Sequence, residues 1–166
     1  ATPNTKKGQH FGSRIVFDKE GHIYFSVGDR GNREVNPQDI TRDGGKIYRL
    51  NLDGSIPRDN PLIEKSDNWL SDTPLKTGIY SYGHRNPQGM VIHPVTGEIW
   101  EHEHGPQGGD EINIIKKGDN YGWPEITYGI NYSGTIITNK TSAPHMKQPF
   151  YYWIPSIAPS GMAFST

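Results

Sequence analysis

Residues 15–24 read IVFDKEGHIY and residues 91–100 read VIHPVTGEIW. Each runs from apolar residues through a polar turn to a glycine, Gly21 or Gly97, and on to Ile23-Tyr24 or Ile99-Trp100, the two glycines standing 76 positions apart. A second pair follows in each copy, GGKIYRL (44–50) and GDEINII (109–115), and GMVI (89–92) returns as GMAF (161–164). The chain therefore repeats a unit, and the unit holds several strands.

Outward from this pair, period-two segments of strand length recur along the chain. They are SRIVFD (13–18), HIYFSVG (22–28), GKIYRLN (45–51), GIYSYGH (78–84), GMVIHP (89–94), EIWEHEH (98–104), EINIIKK (111–117), PFYYWIP (149–155) and GMAFS (161–165). Each is rich in aromatic or β-branched residues and bounded by Gly, Pro, Asn or Asp, so the reading is all-β. A repeated antiparallel unit with a turn-rich rim points to propeller blades, whose usual length is about 40–50 residues. The units here are longer because of polar, turn-rich insertions at 51–77 and 119–148, placed where loops build a binding face. One domain is expected, 1–166, with repeats over about 10–76 and 77–148 and a third starting near 149. Because a propeller needs at least four blades to close, the sequence reads as part of a larger one, two blades and a fraction of a third.

Composition agrees and excludes some functions. In 166 residues only 32% are hydrophobic, while 20 Gly, 13 Pro, 9 Tyr and 4 Trp favour short strands and many turns. Seventeen basic and 18 acidic residues leave a net charge of -1 with no long block of either sign, which argues against a nucleic-acid partner. No apolar run approaches the roughly 20 residues of a membrane-spanning helix. The lack of cysteine removes disulfides, thiolate catalysis and Cys-ligated metals.

Three constellations carry chemistry. In SYGHRNPQG (81–89), Pro87 and Gly89 are expected to form a tight rim turn that presents Arg85 and Asn86 outward, a fixed cation beside a neutral amide. The plainer alternative is a surface turn with the Arg stem lying along apolar surface. In EHEHGPQGGDEIN (101–113), alternation puts Glu101 and Glu103 on one strand face and His102 and His104 on the other, followed by a Gly105-Pro106 turn with free carbonyls. Two His two apart suit a transition metal, whereas Asp110, Glu111 and turn carbonyls are hard oxygens that suit calcium; the plainer alternative is a solvated acidic rim. In the third, His10 precedes the first strand of a unit and Asp29 closes the next. In a hairpin those ends meet, and a carboxylate beside an imidazole fixes its tautomer and supports it as a general base.

Taken together, H-x-G-x-R-I from His10, VGD at 27–29, NLDGSIPRDNP (51–61), YGHRNPQGM (82–90), HGPxxxDEIN (104–113), NYGWP (120–124) and SIAPSGM (156–162) resemble the soluble pyrroloquinoline-quinone (PQQ)-dependent glucose and aldose sugar dehydrogenases. The resemblance implies a six-bladed β-propeller of which this chain is about the middle half, with PQQ and Ca2+ at one end of the channel and further cationic cofactor contacts beyond Thr166. It implies oxidation of an aldose to its lactone, with electrons passed to an external acceptor, in the periplasm or outside the cell. His10 would be the base, Asp29 its orienting partner, and Arg85 the cation that neutralises the quinone oxygen, with Asn86, His104 and Asp110 in the cofactor pocket. The carbonyls of Gly105 and Pro106 would hold the cofactor's calcium, and Glu111 and Tyr121 match the glucose enzyme's second, structural calcium. Where that enzyme has an acidic residue before the catalytic His and an amide before Gly-Pro, this chain has Gln9 and His104, which implies a broader aldose range. His84 is read as structural.

Two other readings remain at this level. A non-catalytic propeller used for protein binding would have no reason to keep His10, Asp29, Arg85, Asn86 and Gly105-Pro106 together. A small-barrel metal enzyme built on His102, His104 and Glu111 would bind a transition metal without PQQ. A partial propeller also exposes two sheet faces, so self-association or packing on the remaining blades is expected.

Overall fold

β-Branched and aromatic residues at alternate positions fill the strands of a computed structural model that describes residues 8–63 and 75–165. The strands run in chain order as β1 (Ile15–Phe17), β2 (His22–Val27), β3 (Lys46–Asn51), β4 (Leu62–Ile63), β5 (Leu75–Lys76), β6 (Ile79–Tyr82), β7 (Pro87–Ile92), β8 (Ile99–Glu103), β9 (Asp110–Ile115) and β10 (Tyr151–Trp153). Two four-stranded antiparallel sheets result, ordered β1-β2-β3-β6 and β7-β8-β9-β10, with β4 and β5 paired as a short ladder inside the 51–77 insertion. Among the described residues there is no helix, so none is long and apolar enough to cross a membrane. These sheets are two blades of a β-propeller, each a four-stranded meander.

The hairpins seen in the sequence match in kind. Gly21 and Gly97, at φ 89° and 73°, turn the chain into β2 and β8, a conformation that costs a glycine nothing. The sheets close one strand later than the repeat boundaries near 76 and 148. β6 completes the first sheet by pairing with β3, and β10 completes the second by pairing with β9.

The segment 161–165, expected as a strand, joins no sheet among the described residues. Its Phe164 instead packs its ring edge-on to His93 and Trp100 at 4.5 and 5.5 Å on the outer face of the second sheet. Side-chain contact, not a ladder, holds it there.

Face assignment follows from register. Tyr24 lies opposite Arg49 and Ser26 opposite Ile47, while Glu101 lies opposite Asn113 and Glu103 opposite Glu111. The first sheet turns its Tyr24–Ile47 face toward the Met90–Ile99–Ile115 face of the second, and Tyr121 completes this core. Burying Ile47, Met90, Ile99 and Ile115 stabilises the fold by about 1.5–3 kcal/mol each. Toward one end of the same interface the residues become polar, and there the site begins.

One buried lysine shapes that end. Lys46, with no exposed surface, donates to the carbonyl oxygens of Asn36, Pro37 and Gly44 at 2.6, 3.1 and 2.7 Å. It staples the long 28–45 connection, and Asn36 in turn donates to the Asp29 carbonyl at 2.9 Å.

Candidate active site

The end of β2 and the segment before β1 meet, as the hairpin argument requires. His10 Nδ1 lies 2.6 Å from Asp29 Oδ1, and Asp29 is only 1% exposed. The same carboxylate accepts the Gly31 N–H on Oδ1 at 2.7 Å and the Trp123 indole N–H on Oδ2 at 2.9 Å. Every partner is a donor, so Asp29 is an acceptor-only anchor and leaves His10 Nε2 as the free ring nitrogen. His10 itself has φ 54°, a left-handed conformation unusual for a non-glycine residue. It fits because Gly28 lies beneath it: a Cβ there would overlap the His10 carbonyl group and come within 3.2 Å of the Arg85 carbonyl oxygen.

The HRN segment differs from its expected form. Pro87–Gly89 is not a rim turn but the start of β7, with a register shift against β8 between Pro87 and Gly89. Gly83, at φ 77°, makes the bend instead. Arg85 and Asn86 are consequently buried, 6% and 7% exposed, not presented outward.

What fixes them is Glu103 Oε2, which accepts both backbone N–H groups, from Arg85 at 2.5 Å and Asn86 at 3.2 Å. The Arg85 carbonyl accepts the Asp29 N–H at 2.7 Å, tying the two constellations together. Its guanidinium donates through Nη1 to the carbonyls of His104 and Gly105 at 2.7 and 2.8 Å and lies 5.4 Å from the Trp123 ring centre. The Gly105 carbonyl is therefore not free in this structure. Arg85 Nε is buried without a hydrogen-bond partner. Asn86 Oδ1 accepts from Gln88 Nε2 at 2.8 Å and from Gly12 N at 3.4 Å.

A cleft of about 410 Å³ opens over this assembly, lined by His10, Asp29, Arg85, Pro106, Trp123 and Tyr132 together with Gln9 and Arg33. A smaller cavity adjoins it at Arg85 and Trp123 and is lined by Glu103, Gly105, Glu111 and Tyr121. The structure thus gathers His10, Asp29, Arg85 and Pro106 on one cleft, with Gly105, Glu111 and Tyr121 behind it.

The remaining candidates have other neighbours. Asp110 Oδ1 accepts the Gly105 N–H at 2.8 Å, and Oδ2 accepts those of Ile157 and Ala158 at 2.8 and 2.6 Å. Burial raises its proton affinity, but hydrogen bonds from Ser156, Ala158, Ile157 and Gly105 outweigh it and hold the carboxyl below its usual range. Asp110 thereby shapes the Gly-Pro bend from behind. His104 Nε2 lies 2.6 Å from the Pro159 carbonyl, so its ring pins the SIAPSGM segment. The Tyr121 hydroxyl donates to the Ile114 carbonyl at 2.7 Å and accepts from Lys116 N at 2.9 Å, which leaves only its backbone oxygen for a metal.

Glu101 and Glu103 are 0% and 3% exposed, so the acidic stretch is a buried blade interface and not a solvated rim. Glu111 pairs with Glu103 and shares its face, opposite to His102 and His104. That arrangement removes the His102–His104–Glu111 metal reading. Burial, followed by repulsion from Glu103, pushes the Glu111 carboxyl well above its usual range.

Sequence reasoning left Trp123 and Glu103 without roles. The signal for Trp123 was its place in NYGWP, and for Glu103 its place two residues before Gly-Pro on the face opposite His104.

The residues present fit an anionic, planar, aromatic cofactor. A cation with an unpartnered buried Nε, an indole face and a phenol surround the cleft, and the hard oxygens a divalent cation takes are the Pro106 carbonyl and the second lone pair of the Gly105 carbonyl, whose first accepts from Arg85 Nη1.

Comparison with known proteins bears on the same point. The chain is 46% identical over 164 residues to aldose sugar dehydrogenase YliI of Escherichia coli, covering 98% of this chain and 42% of that protein. A crystal structure of glucose dehydrogenase superposes with a TM-score of 0.87 at 43% identity, covering 98% of this chain and 45% of that one. The PQQ-bound form of aldose sugar dehydrogenase from Streptomyces coelicolor superposes with a TM-score of 0.74 at 32% identity over 95% of this chain and 40% of that one. The chain spans less than half the length of these relatives. The family model for glucose/sorbosone dehydrogenase matches residues 1–166, and with the shared fold it establishes that this chain belongs to the glucose/sorbosone dehydrogenase family.

Proposed function

We propose that the protein containing this chain is a PQQ-dependent dehydrogenase that oxidises aldose sugars to lactones with the help of Ca2+, outside the cytoplasm, and passes electrons to an external acceptor. The observation that carries the reading is the convergence of His10, held by Asp29, and Arg85, with its unpartnered Nε, on one cleft. When bound, PQQ supplies a quinone that accepts hydride, and calcium supplies Lewis-acid polarisation of that quinone.

The chain's own residues do the rest. His10 Nε2 takes the proton of the anomeric hydroxyl, and the Asp29 carboxylate stabilises the imidazolium that forms and keeps Nδ1 protonated. Arg85, with its backbone fixed by Glu103, offers positive charge where negative charge develops, and Trp123 walls the site against water. The Gly105 and Pro106 carbonyls would hold the ion, His104 lines the smaller cavity, Asn86 would reach the cofactor beside Arg85, and Asp110 sets the bend. The Glu111 carboxylate and the Tyr121 carbonyl suit the second, structural calcium. Gln9, neutral and in the cleft lining, suits a range of aldoses. The exposed Ile15 and Phe17 on the far face of the first sheet are where further blades or a second copy pack.

The test is reconstitution of the full-length protein with PQQ and CaCl2 and measurement of dye reduction with several aldoses. Activity that disappears in His10→Ala while PQQ still binds supports the proposal. A full-length protein that takes up no PQQ overturns it.

A further inference from the structure

Behind the turn that carries Arg85 and Asn86, an imidazole and two carboxylates from both blades converge. His84, Glu101 and Glu103 are 0%, 0% and 3% exposed, and one ligand atom from each lies within 4.8 Å of the others. His84 Nε2 lies 2.8 Å from Ser81 Oγ, itself fully buried. In the tautomer whose Nε2–H donates to that hydroxyl, Nδ1 carries a lone pair on the side of the carboxylates.

Nδ1 lies 3.6 Å from Glu103 Oε1, too long for a hydrogen bond. It is close to the roughly 3.4 Å that separates two ligands sharing an ion at about 2.1 Å. Both His84 Nδ1 and Glu101 Oε1 lack a hydrogen-bond partner. The other carboxylate oxygens are taken, Glu101 Oε2 by Asn113 Nδ2 at 3.3 Å and Glu103 Oε2 by the Arg85 and Asn86 amides. The Arg85 guanidinium is turned away, onto the His104 and Gly105 carbonyls.

We infer that His84, Glu101 and Glu103 form a buried structural site for a first-row divalent cation of the zinc or manganese class, lodged between the two blades. Two carboxylates balance the ion's charge, and an imidazole nitrogen favours such a metal over calcium, which takes oxygen ligands. Ser81 orients the imidazole as the outer partner that metal-bound histidines require. The site is separate from the Gly105-Pro106 carbonyls and from the cleft; Glu103 is also part of the wall of the smaller cavity that holds Glu111 and Tyr121, so calcium is supplied in excess before the second metal is added.

A shared proton is the competing occupant, since burial and then repulsion from Glu103 push the Glu101 carboxyl well above its usual range. The experiment takes the full-length protein without PQQ, strips it with chelator, saturates it with CaCl2, and then titrates ZnCl2 or MnCl2. Bound metal is measured by elemental analysis and located by anomalous X-ray scattering at the metal edge. One equivalent with its anomalous peak between His84 and the two glutamates is expected. Affinity should fall 10–100-fold in Ser81→Ala and at least as far in Glu101→Gln. No peak at this position, or affinity unchanged in Ser81→Ala, overturns the site. Stabilisation of the metal-free protein by Glu101→Gln with no metal taken up by the wild type assigns a proton instead, and likewise overturns it.

Discussion

Replacing Asp29 by Asn tests the proposed base directly, because the geometry leaves the amide no good orientation. The carboxylate receives three donors, His10 Nδ1 and Gly31 N on Oδ1 and Trp123 Nε1 on Oδ2. An amide has one acceptor oxygen. If that oxygen faces His10, the NH2 opposes the Trp123 N–H, and a buried donor goes unpaired at a cost of about 1–3 kcal/mol. If the NH2 faces His10, it also meets the Gly31 N–H donor to donor, and the imidazole must accept on Nδ1, which puts its proton on Nε2 and removes the base. Either way the imidazolium loses a charge-assisted partner worth about 1.5–3 kcal/mol, or 10- to 150-fold in rate. Adding the wrong-tautomer population, kcat in dye reduction by the reconstituted full-length protein should fall about 10²–10⁴-fold. PQQ affinity should change little. Trp123→Phe is the control, since it removes one donor and leaves the carboxylate on His10; its kcat should fall no more than about tenfold. An Asp29→Asn enzyme within threefold of wild type would refute the reasoning.

Other consequences can be checked in the same protein. Gly28→Ala forces a Cβ into the His10 carbonyl, so activity should collapse at least as far as in Asp29→Asn, with His10 displaced in a crystal structure of the variant. Lys46→Met strands three buried carbonyls and should lower unfolding stability by about 2–4 kcal/mol in urea titration; an unchanged midpoint would sink the staple. Arg85→Lys keeps charge but loses the planar donor set, and PQQ titration should show affinity reduced about 10–100-fold. Asp110 has its folded pKa below the unfolded value of about 3.9. Its stabilisation is therefore complete above that value and vanishes as pH falls through the folded one. The melting-point gap between wild type and Asp110→Asn should be wide at pH 6 and narrow toward pH 3.

The strands were legible because alternation and bounding glycines are local signals, and the repeat gave the second blade from the first. What alternation cannot say is which face a neighbour covers. Glu101 and Glu103 were separable from His102 and His104 by period two, yet only the docking of one blade on the other turns the glutamate face into an interior. The same limit applies to His84, whose environment is made by β8 and Ser81. Sheet closure was displaced because β6 and β10 follow long insertions, and nothing local tells a strand after 119–148 which sheet it completes. The His10–Asp29 pairing, in contrast, needed only hairpin geometry.

The misread NPQG turn points to how this site holds its shape. Turn chemistry assigns the bend to Pro87 and Gly89, but a buried carboxylate clamps the amides just before them, one of three such clamps around the site. Asp29 takes Gly31 N, Glu103 takes Arg85 N and Asn86 N, and Asp110 takes Gly105 N, Ile157 N and Ala158 N. A carboxylate with several amide donors is a strong, directional anchor in a low-dielectric interface. It fixes a loop's conformation with little help from the loop's own propensities. The groups proposed for chemistry, His10, Arg85 and the Gly105 bend, each lie within one or two residues or one hydrogen bond of such a clamp. Precision is thus supplied by side chains that never touch substrate, and substitutions at Glu103 or Asp110 should disturb cofactor binding as much as substitutions in the cleft.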